Sequence, residues 1–174
     1  MIRVTDLDSY LASFDGEPGY LDWAAFGPLS PAVRSEAQGD TELLGSGRRT
    51  SIELVADHER EARELVAELI GTDASHVVLQ PSTTYGLMHA IYGLAGGLML
   101  GRGEFPSLTV AATRASEAFG SVQLQWVEPA DGFMTPDAIR SALSDDTRAV
   151  AVSLVDFRTG YRTDLSAIRE VIGD

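Results

Sequence analysis

Residues 76–94, HVVLQPSTTYGLMHAIYGL, contain the strand-to-helix junction that decides the predicted fold. The apolar run VVL predicts a strand over 76–80, which Pro81 cannot continue because proline has no backbone N–H. The hydroxyl-bearing run STT at 82–84 is typical of helix starts and begins a predicted helix over 83–94. The junction therefore indicates a chain in which strands and helices alternate.

Ser82, Thr83 and Thr84 form a candidate anion site at this helix start. The first amides of a helix have no intrahelical acceptor, and the positive end of the helix dipole lies there. A phosphate at this position meets amide donors, hydroxyl donors and a favourable field. From these residues alone, the alternative is that Ser82 or Thr83 only caps the helix, which is the commoner role of such residues.

The composition is that of a globular chain with a large acidic excess. Its 174 residues are 44% hydrophobic, which is enough to bury a core, and its formal net charge is -13. This charge repels nucleic acid and anionic membranes, so we expect neither as a partner. We recognise no run of about 18 apolar residues and no secretory leader, and therefore expect a cytoplasmic protein.

Cysteine and lysine are absent from the sequence, and all 13 residues of the Lys and Arg class are Arg. Without cysteine, these residues can form no disulfide, no thiolate metal site and no cysteine nucleophile. Without lysine, they can form no Schiff base through a side-chain amine. His58, His76 and His89 are scattered along the chain, so we expect structural roles for them and no metal site.

The first 50 residues are predicted to form an N-terminal segment with a short helix that begins at residues 30–31, SP. A polar, glycine-containing loop is expected over 39–50. Residues 51–70 predict the most regular helix of the chain, because apolar residues recur at helical spacing and Gly71 follows. We place a domain boundary between the N-terminal segment and this helix.

From residue 76 onward, predicted strands and helices alternate. We expect strands at 76–80, 98–101, 122–127 and 148–154, and helices at 83–94, 107–118, 135–143 and 164–172. This alternation predicts an α/β fold of three layers with a mainly parallel sheet. Ligands of such sheets bind beyond the carboxyl ends of the strands, so the candidate functional residues lie in the strand-to-helix loops.

Four segments occur in order along these predicted elements: YLDWAAFGP at 20–28, STTYG at 82–86, EFPS at 104–107 and VDFRTGYRTDL at 155–165. Together they resemble the class V aminotransferase group of pyridoxal-phosphate (PLP) enzymes, which includes cysteine desulfurases and kynureninases. The resemblance covers nearly all of the chain. It implies the large-domain fold of PLP-dependent transferases, incomplete, with residues 51–174 as its first part.

The resemblance also implies which residues contact PLP. Thr83 is similar to the residue whose amide and hydroxyl hold the cofactor phosphate, with Ser82 and Thr84 in the same turn. Phe105 falls where the family stacks an aromatic ring on the pyridine, although by itself Phe105 would be a core aromatic. Ser107 is expected either to donate to the cofactor or to cap the following helix.

Further residues are assigned through the resemblance. Ser153 matches a cofactor-contacting position of kynureninase-like members; by itself it would be a hydroxyl bonded to backbone. Ala25 and Phe26 lie in the segment that resembles the family's substrate pocket. Arg158, like Asp156, is assigned to a contact with the substrate or a partner subunit, and the alternative, an exposed ion pair, is the commoner role of such residues.

Phe105 and Phe157 depart from the desulfurase pattern. Many desulfurases carry His where Phe105 stands and Asn where Phe157 stands, and that Asn amide reaches the phenolic oxygen of the cofactor. A phenylalanine cannot donate this hydrogen bond. The two departures favour a kynureninase-like or transaminase-like member over a desulfurase.

The resemblance implies an enzyme that needs a lysine to bind PLP covalently and a later acidic residue to keep the pyridine nitrogen protonated. We find neither, and expect the N-terminal portion of a homodimeric enzyme that acts on an amino acid by transamination or lyase chemistry. Alone, this chain is expected to be inactive and to contribute no catalytic residue. An alternative of another class is a non-catalytic α/β module that binds a phosphorylated metabolite or a protein partner.

Overall fold

The computed structural model describes residues 7–173, with the side chain of Leu7 left out. The chain divides into two compact units, one ending at Leu79 and the other beginning at Gln80. The boundary expected after residue 50 thus falls inside a helix of the first unit. The assignment of residues 51–174 to the first part of a PLP-binding domain stays a prediction.

The first unit is helical. It contains α1 (Leu7–Ala12), α2 (Pro31–Gly45), α3 (Arg49–Ile70) and a 3₁₀ turn at Ala74–His76. Ser30 caps α2 by accepting a hydrogen bond from the Val33 amide at 3.3 Å, and Gly71 ends α3 with a φ of 72° that favours glycine. In the range 7–173, no helix combines the length and apolar character needed to span a bilayer.

Helix α2 corrects the prediction of a loop over 39–50, because it continues to Gly45. Its polar residues lie on an exposed surface, where they cost little. Thr41 donates to the carbonyl of Ala37, and Gln38 donates to the Glu42 carboxylate, both at helical spacing. The loop between α2 and α3 is therefore only a short turn.

The strand predicted over 76–80 is wrong. Asp73 caps the 3₁₀ turn by accepting from the Ser75 amide at 2.8 Å, and that turn includes His76. Val77 is extended, with φ -105° and ψ 123°, but no described residue pairs with it in a ladder. An apolar run favours an extended backbone, whereas a strand also needs a neighbour, and periodicity alone does not provide one.

The second unit alternates helices and strands as predicted. Its elements are α4 (Thr83–Tyr92), β1 (Gly96–Gly101), α5 (Pro106–Phe119), β2 (Val122–Val127), α6 (Pro136–Ala142), β3 (Thr147–Ala151) and α7 (Leu165–Ile172). The three strands are parallel in the order β2-β1-β3. The α/β class with a parallel sheet is confirmed.

The second unit has a hydrophobic cluster on each face of the sheet. Leu98 and Leu100 of β1 point to one face, where they pack against residues of α4 and α5, and Met99 points to the other, where it packs with Ile139 and Ile168. All three β1 side chains are fully buried. Helices on both faces of a buried central strand give the expected three layers.

Strand β3 ends at Ala151 and not at residue 154 as predicted. Beyond it, Val155 pairs in an antiparallel bridge with Arg162, so the chain folds back on itself and leaves the ladder with β1. Thr163 consolidates this return, since its amide donates to the Leu154 carbonyl at 2.8 Å. Residues 152–163 are therefore a loop at the carboxyl edge of the sheet.

Candidate functional site

A cleft of about 500 Å³ lies at the carboxyl edge of the sheet in the second unit. Its walls are the segments that follow the three strands, 101–104, 127–134 and 153–163. Parallel strands bring these three segments to the same edge, as the sequence pattern predicts. Of the predicted site residues, Ser153 and Arg158 line the cleft.

Glu104 joins the loop after β1 to the loop after β3. Its carboxylate accepts a hydrogen bond from the Ser153 hydroxyl at 2.5 Å and from the Ser153 amide at 3.1 Å. The Ser153 carbonyl in turn accepts from the buried Thr163 hydroxyl at 2.8 Å. Ser153 is thus hydrogen-bonded through its hydroxyl, its amide and its carbonyl, and two of these groups donate to a carboxylate.

Asp156 organises the hairpin over residues 155–162. One carboxylate oxygen accepts from the amides of Arg158 at 2.8 Å and Thr159 at 3.0 Å, and the other accepts from the Arg158 guanidinium at 2.8 Å. The guanidinium of Arg158 is the main reason that the pKa of Asp156 lies well below its usual range, and the amide bonds add to the effect. The ion pair given as the alternative for Arg158 is present.

Arg158 packs its guanidinium against the backbone at Gly103. A Cβ atom added to Gly103 would lie 2.5 Å from Nη2 of Arg158, so glycine is what allows the close approach. The Asp156 carboxylate and the charge of Glu104 raise the pKa of Arg158, which keeps the side chain cationic. The cleft therefore carries a fixed positive group beside two carboxylates.

Two ring pairs flank these polar groups. Phe133 and Tyr161 stack within the cleft lining, with centroids 4.6 Å apart and planes at 28°. Phe105 and Phe157 meet edge to face, with centroids 5.1 Å apart and planes at 89°. The guanidinium of Arg158 lies 5.9 Å from the Phe157 ring centre, so it links the cleft to the second pair.

Phe105 is only partly covered. It is 45% exposed and Phe157 is 57% exposed, so neither ring is a core aromatic. The two positions that depart from the desulfurase pattern are thus in contact with each other. Phe105 offers an accessible aromatic surface at the carboxyl end of β1, where the resemblance expects one.

The predicted phosphate-binding residues lie at the start of α4. Ser82 is its N-cap and accepts from the Tyr85 amide at 3.3 Å, so the capping role is present. Thr83 is exposed. Thr84 shares a 2.8 Å hydrogen bond with the Ser107 hydroxyl, which brings the first turns of α4 and α5 together. Hydroxyls from two helix starts therefore converge on one place.

Ser107 does not cap α5. That helix begins at Pro106, with Phe105 at the capping position and no side-chain cap. Proline needs no N–H partner at the first helical position, which explains why the helix starts one residue earlier than predicted. Ser107 therefore lies in the first turn, where its hydroxyl meets Thr84.

Ala25 and Phe26 lie in the first unit, in a turn that Tyr20 stabilises by donating to the Phe26 carbonyl at 2.7 Å. Both are exposed, with Phe26 63% accessible. Each unit is internally compact, and the two residues belong to a different unit from Arg158. Their assignment to a substrate pocket stays a prediction.

The sequence pattern did not indicate that Gly103, Glu104 and the stacked pair of Phe133 and Tyr161 line one cleft. Glu104 stands directly before Phe105 in the EFPS segment, so its position at the sheet edge was visible. Its partner Ser153 is 49 residues away, and no spacing rule connects the two. The sequence feature that pointed to Glu104 was its carboxylate shortly after a predicted strand.

The chain is similar to a known protein family and to curated proteins. The family model described as aminotransferase class-V matches residues 19–173. Curated relatives include the cysteine desulfurase IscS of Pseudomonas syringae pv. tomato, 29% identical over 167 residues, and that of Ectopseudomonas mendocina, 30% identical over 167 residues. Each match covers 88% of this chain and 41% of the relative. The chain thus spans about two fifths of the length of these relatives.

Two similar solved structures are both of C-DES. One is a C-DES mutant with glycine covalently linked to the PLP cofactor; it has a TM-score of 0.78 at 18% identity, over 92% of this chain and 44% of that one. The other is the cystine C-S lyase C-DES with its reaction product cysteine persulfide; it has a TM-score of 0.67 at 17% identity, over 78% of this chain and 39% of that one. These likenesses establish a shared fold.

Proposed function

Because the chain belongs to the class V aminotransferase family, we propose that it is the cofactor-holding part of a PLP enzyme that acts on an amino acid. The observation that carries the proposal is the Thr84–Ser107 hydrogen bond, which joins two helix starts beside Phe105. A phosphate dianion requires several donors at one point, and these helix starts offer amides and hydroxyls together.

The donor set at α4 fits the phosphate of PLP. The amide of Thr83 is one of the first amides of a ten-residue helix, so it has no intrahelical acceptor. The Ser82 oxygen accepts from Tyr85, yet its hydroxyl hydrogen remains a donor. Thr83 and Ser82 would hold the phosphate, and Thr84, held by Ser107, would complete the turn.

Phe105 would fix the plane of the cofactor ring. Its half-exposed face is accessible, and its contact with Phe157 restricts the orientation of the ring. PLP, when bound, supplies the electron sink for the chemistry at the amino-acid α-carbon. The residues of this chain would only bind and orient it. Ser153 is proposed as a further contact, through the oxygen whose hydrogen is already donated to Glu104.

Arg158 is proposed to hold the substrate carboxylate. A guanidinium has five N–H donors, and the pairing with Asp156 uses only part of them. The resemblance of their segment alone supports the proposal that Ala25 and Phe26 belong to a substrate pocket. Since the positive charge of Arg158 is fixed by Asp156, the arrangement would favour a substrate with a free carboxylate over its amide or ester.

Two observations support different reaction subtypes. The relatives compared above are named as cysteine desulfurases and a cystine C-S lyase, which supports lyase chemistry on a sulfur-containing amino acid. Phe105 and Phe157 instead favour a kynureninase-like or transaminase-like member. We give the relatives more weight, because two substituted positions change contacts to the cofactor without deciding which bond breaks.

Turnover is not expected from this chain alone. No lysine occurs in its 174 residues, so a group that binds PLP covalently and moves the α-proton would have to come from elsewhere. We propose that the whole enzyme is a cytoplasmic homodimer and that residues absent here supply this lysine. The lack of lysine is also the observation that favours the second candidate, a non-catalytic module that binds a phosphorylated metabolite or a protein partner.

Binding and turnover can be measured on the same purified chain. We expect PLP to bind in equilibrium dialysis, and no product to form when an amino acid is added. Phe105→Ala should weaken PLP binding about tenfold through loss of ring stacking, which corresponds to about 1.4 kcal/mol. Phe119→Ala is the matched control, because Phe119 is also half-exposed and in an edge-to-face pair, with Tyr92.

Two results would contradict the proposal. If both phenylalanine variants bind PLP as the native chain does, Phe105 does not stack on the cofactor. If the native chain gives turnover that survives repurification, the reactive group is in these residues and the division of roles is wrong. A phosphorylated metabolite that binds more tightly than PLP would favour the second candidate.

A further inference from the structure

Three side chains that can bind metal ions meet in the first unit, and none of them has been assigned a role above. Glu36 and Asp40 lie one turn apart on α2, and His58 lies on α3, which packs against α2. Asp40 Oδ2 is 3.2 Å from Nδ1 of His58, and Glu36 Oε1 is 3.7 Å from Nε2. One ligand atom from each residue lies within 4.8 Å of the others.

The charges around this cluster are unbalanced. Arg34 and Arg60 stand two residues from Glu36 and His58 in sequence, but each pairs with a different carboxylate. Among the ion pairs of the described residues, Glu36 and Asp40 have only His58 as a basic partner. Two carboxylates facing one imidazole leave at least one net negative charge, which a divalent cation would neutralise.

We propose that Glu36, Asp40 and His58 bind a divalent transition-metal ion of the zinc type. Zinc takes imidazole nitrogen and carboxylate oxygen at about 2.0–2.2 Å, whereas calcium and magnesium prefer oxygen ligands alone. Asp40 and His58 are partly buried, with side chains 25% and 40% exposed. Glu36 is 71% exposed, so its side chain can rotate to close the site.

Such an ion would link α2 to α3, because it would bind residues of both helices. In this unit α2 has no buried residue, and the buried residues of α3 are Ser51 and Ala67, so the pair buries little apolar surface of its own. A metal that binds only the folded form stabilises it by mass action. The ligands come from two helices, which is why the scattered histidines of the sequence gave no indication of a site.

The test uses the complete 174-residue chain after chelator treatment and dialysis. We expect zinc chloride to bind with a stoichiometry of one per chain in calorimetry and to raise the melting temperature, while calcium chloride does neither. His58→Gln and Asp40→Asn should each weaken zinc binding by about tenfold or more. Even residues that only hydrogen-bond to a metal ligand change metal affinity by that factor when they are mutated. Glu36→Gln should weaken zinc binding less.

Matched controls separate this site from general surface binding. His89→Gln removes a histidine that is exposed and lies outside the cluster, and Glu42→Gln removes another carboxylate of α2, one that contacts Gln38 and not His58. Both should bind zinc as the native chain does. The proposal is wrong if no stoichiometric zinc binding occurs, or if His58→Gln, folded by circular dichroism, binds as tightly as the native chain or as His89→Gln.

Discussion

The two polar regions at the carboxyl edge of the sheet differ in how their groups are satisfied. Around Glu104 and Asp156, most polar groups are paired with one another: the Glu104 carboxylate holds the Ser153 amide and hydroxyl, and Asp156 holds Arg158. At the start of α4, Thr83 is exposed, and hydroxyl hydrogens there remain available to donate to a ligand. The first region is a clamp, and the second is a cradle.

The difference separates the carboxylates that join the loops from the helix-start donors that are available to an anion. A carboxylate that already accepts charge-assisted bonds stabilises the loops it joins and has little capacity left for a ligand. Helix amides and hydroxyls without acceptors remain available to an anion. We therefore expect mutations in the clamp to change stability first, and mutations in the cradle to change cofactor binding first.

Glu104→Ala should produce the largest loss of stability. It leaves the Ser153 amide and hydroxyl without their acceptor, which costs about 2 kcal/mol of unfolding free energy. Urea denaturation of the chain measures this loss. Glu128→Ala is the control, because Glu128 is exposed and pairs with Arg102 at 3.7 Å, so its removal should cost under about 0.5 kcal/mol. Equal losses would mean that Glu104 does not clamp the loops.

Variants of Ser82 test whether this residue binds PLP in addition to capping α4. Ser82→Ala should cost about 1 kcal/mol, whereas Ser82→Gly should cost only a few tenths, because glycine is tolerated at the N-cap. Both variants lack the hydroxyl and should bind PLP more weakly. If Ser82→Gly kept the native affinity for PLP, Ser82 would be a helix cap alone.

The contact between the two helix starts is expected to contribute somewhat less. A double-mutant cycle of Thr84→Val and Ser107→Ala should give a coupling of about 0.5 kcal/mol or more, since the two hydroxyls are bonded at 2.8 Å. Urea denaturation of the four proteins provides the values. Additive losses would mean that the contact does not stabilise the cradle.

Acid titration should reveal the smallest effect. The pKa of Asp156 is lowered by Arg158, so this pair stabilises the fold above the ordinary Asp value of about 3.9 and loses its contribution as pH falls below it. Arg158 is partly exposed, and solvent screening limits the size. Between pH 5 and 3, Asp156→Asn should therefore lose less stability than the native chain, and a parallel loss would contradict the assignment.

Much of the fold could be predicted because the sequence pattern is regular where the structure is regular. Strand β2 matches its predicted range of 122–127, and α3 ends at Ile70, directly before Gly71, as expected. The two errors in strand bounds have a common cause: apolar residues at 77–79 and at 152 and 154 favour an extended backbone, but pairing partners are a property of the tertiary fold. Local patterns therefore predict conformation better than pairing.

Part of the candidate site could be predicted from the sequence, and part could not. The family resemblance is confirmed by the family model over residues 19–173. The same resemblance assigned both Thr84 and Ser107 to the cofactor, and in the structure their two hydroxyls are bonded to each other. The bonds from Glu104 to Ser153 could not be predicted, because they join side chains 49 residues apart through their particular rotamers. The roles of Ser82, Thr83 and Phe105 toward PLP stay predictions.

The dependence of binding on the phosphate group tests the cradle most directly. Equilibrium dialysis of the chain with PLP and with pyridoxal, which lacks the phosphate, measures the ratio of the two affinities. We expect a ratio well above ten for the native chain, a fall of about tenfold for Thr83→Ala, and no change for Thr113→Ala, which removes a hydroxyl from the middle of α5. Equal affinities for PLP and pyridoxal in the native chain would contradict the account.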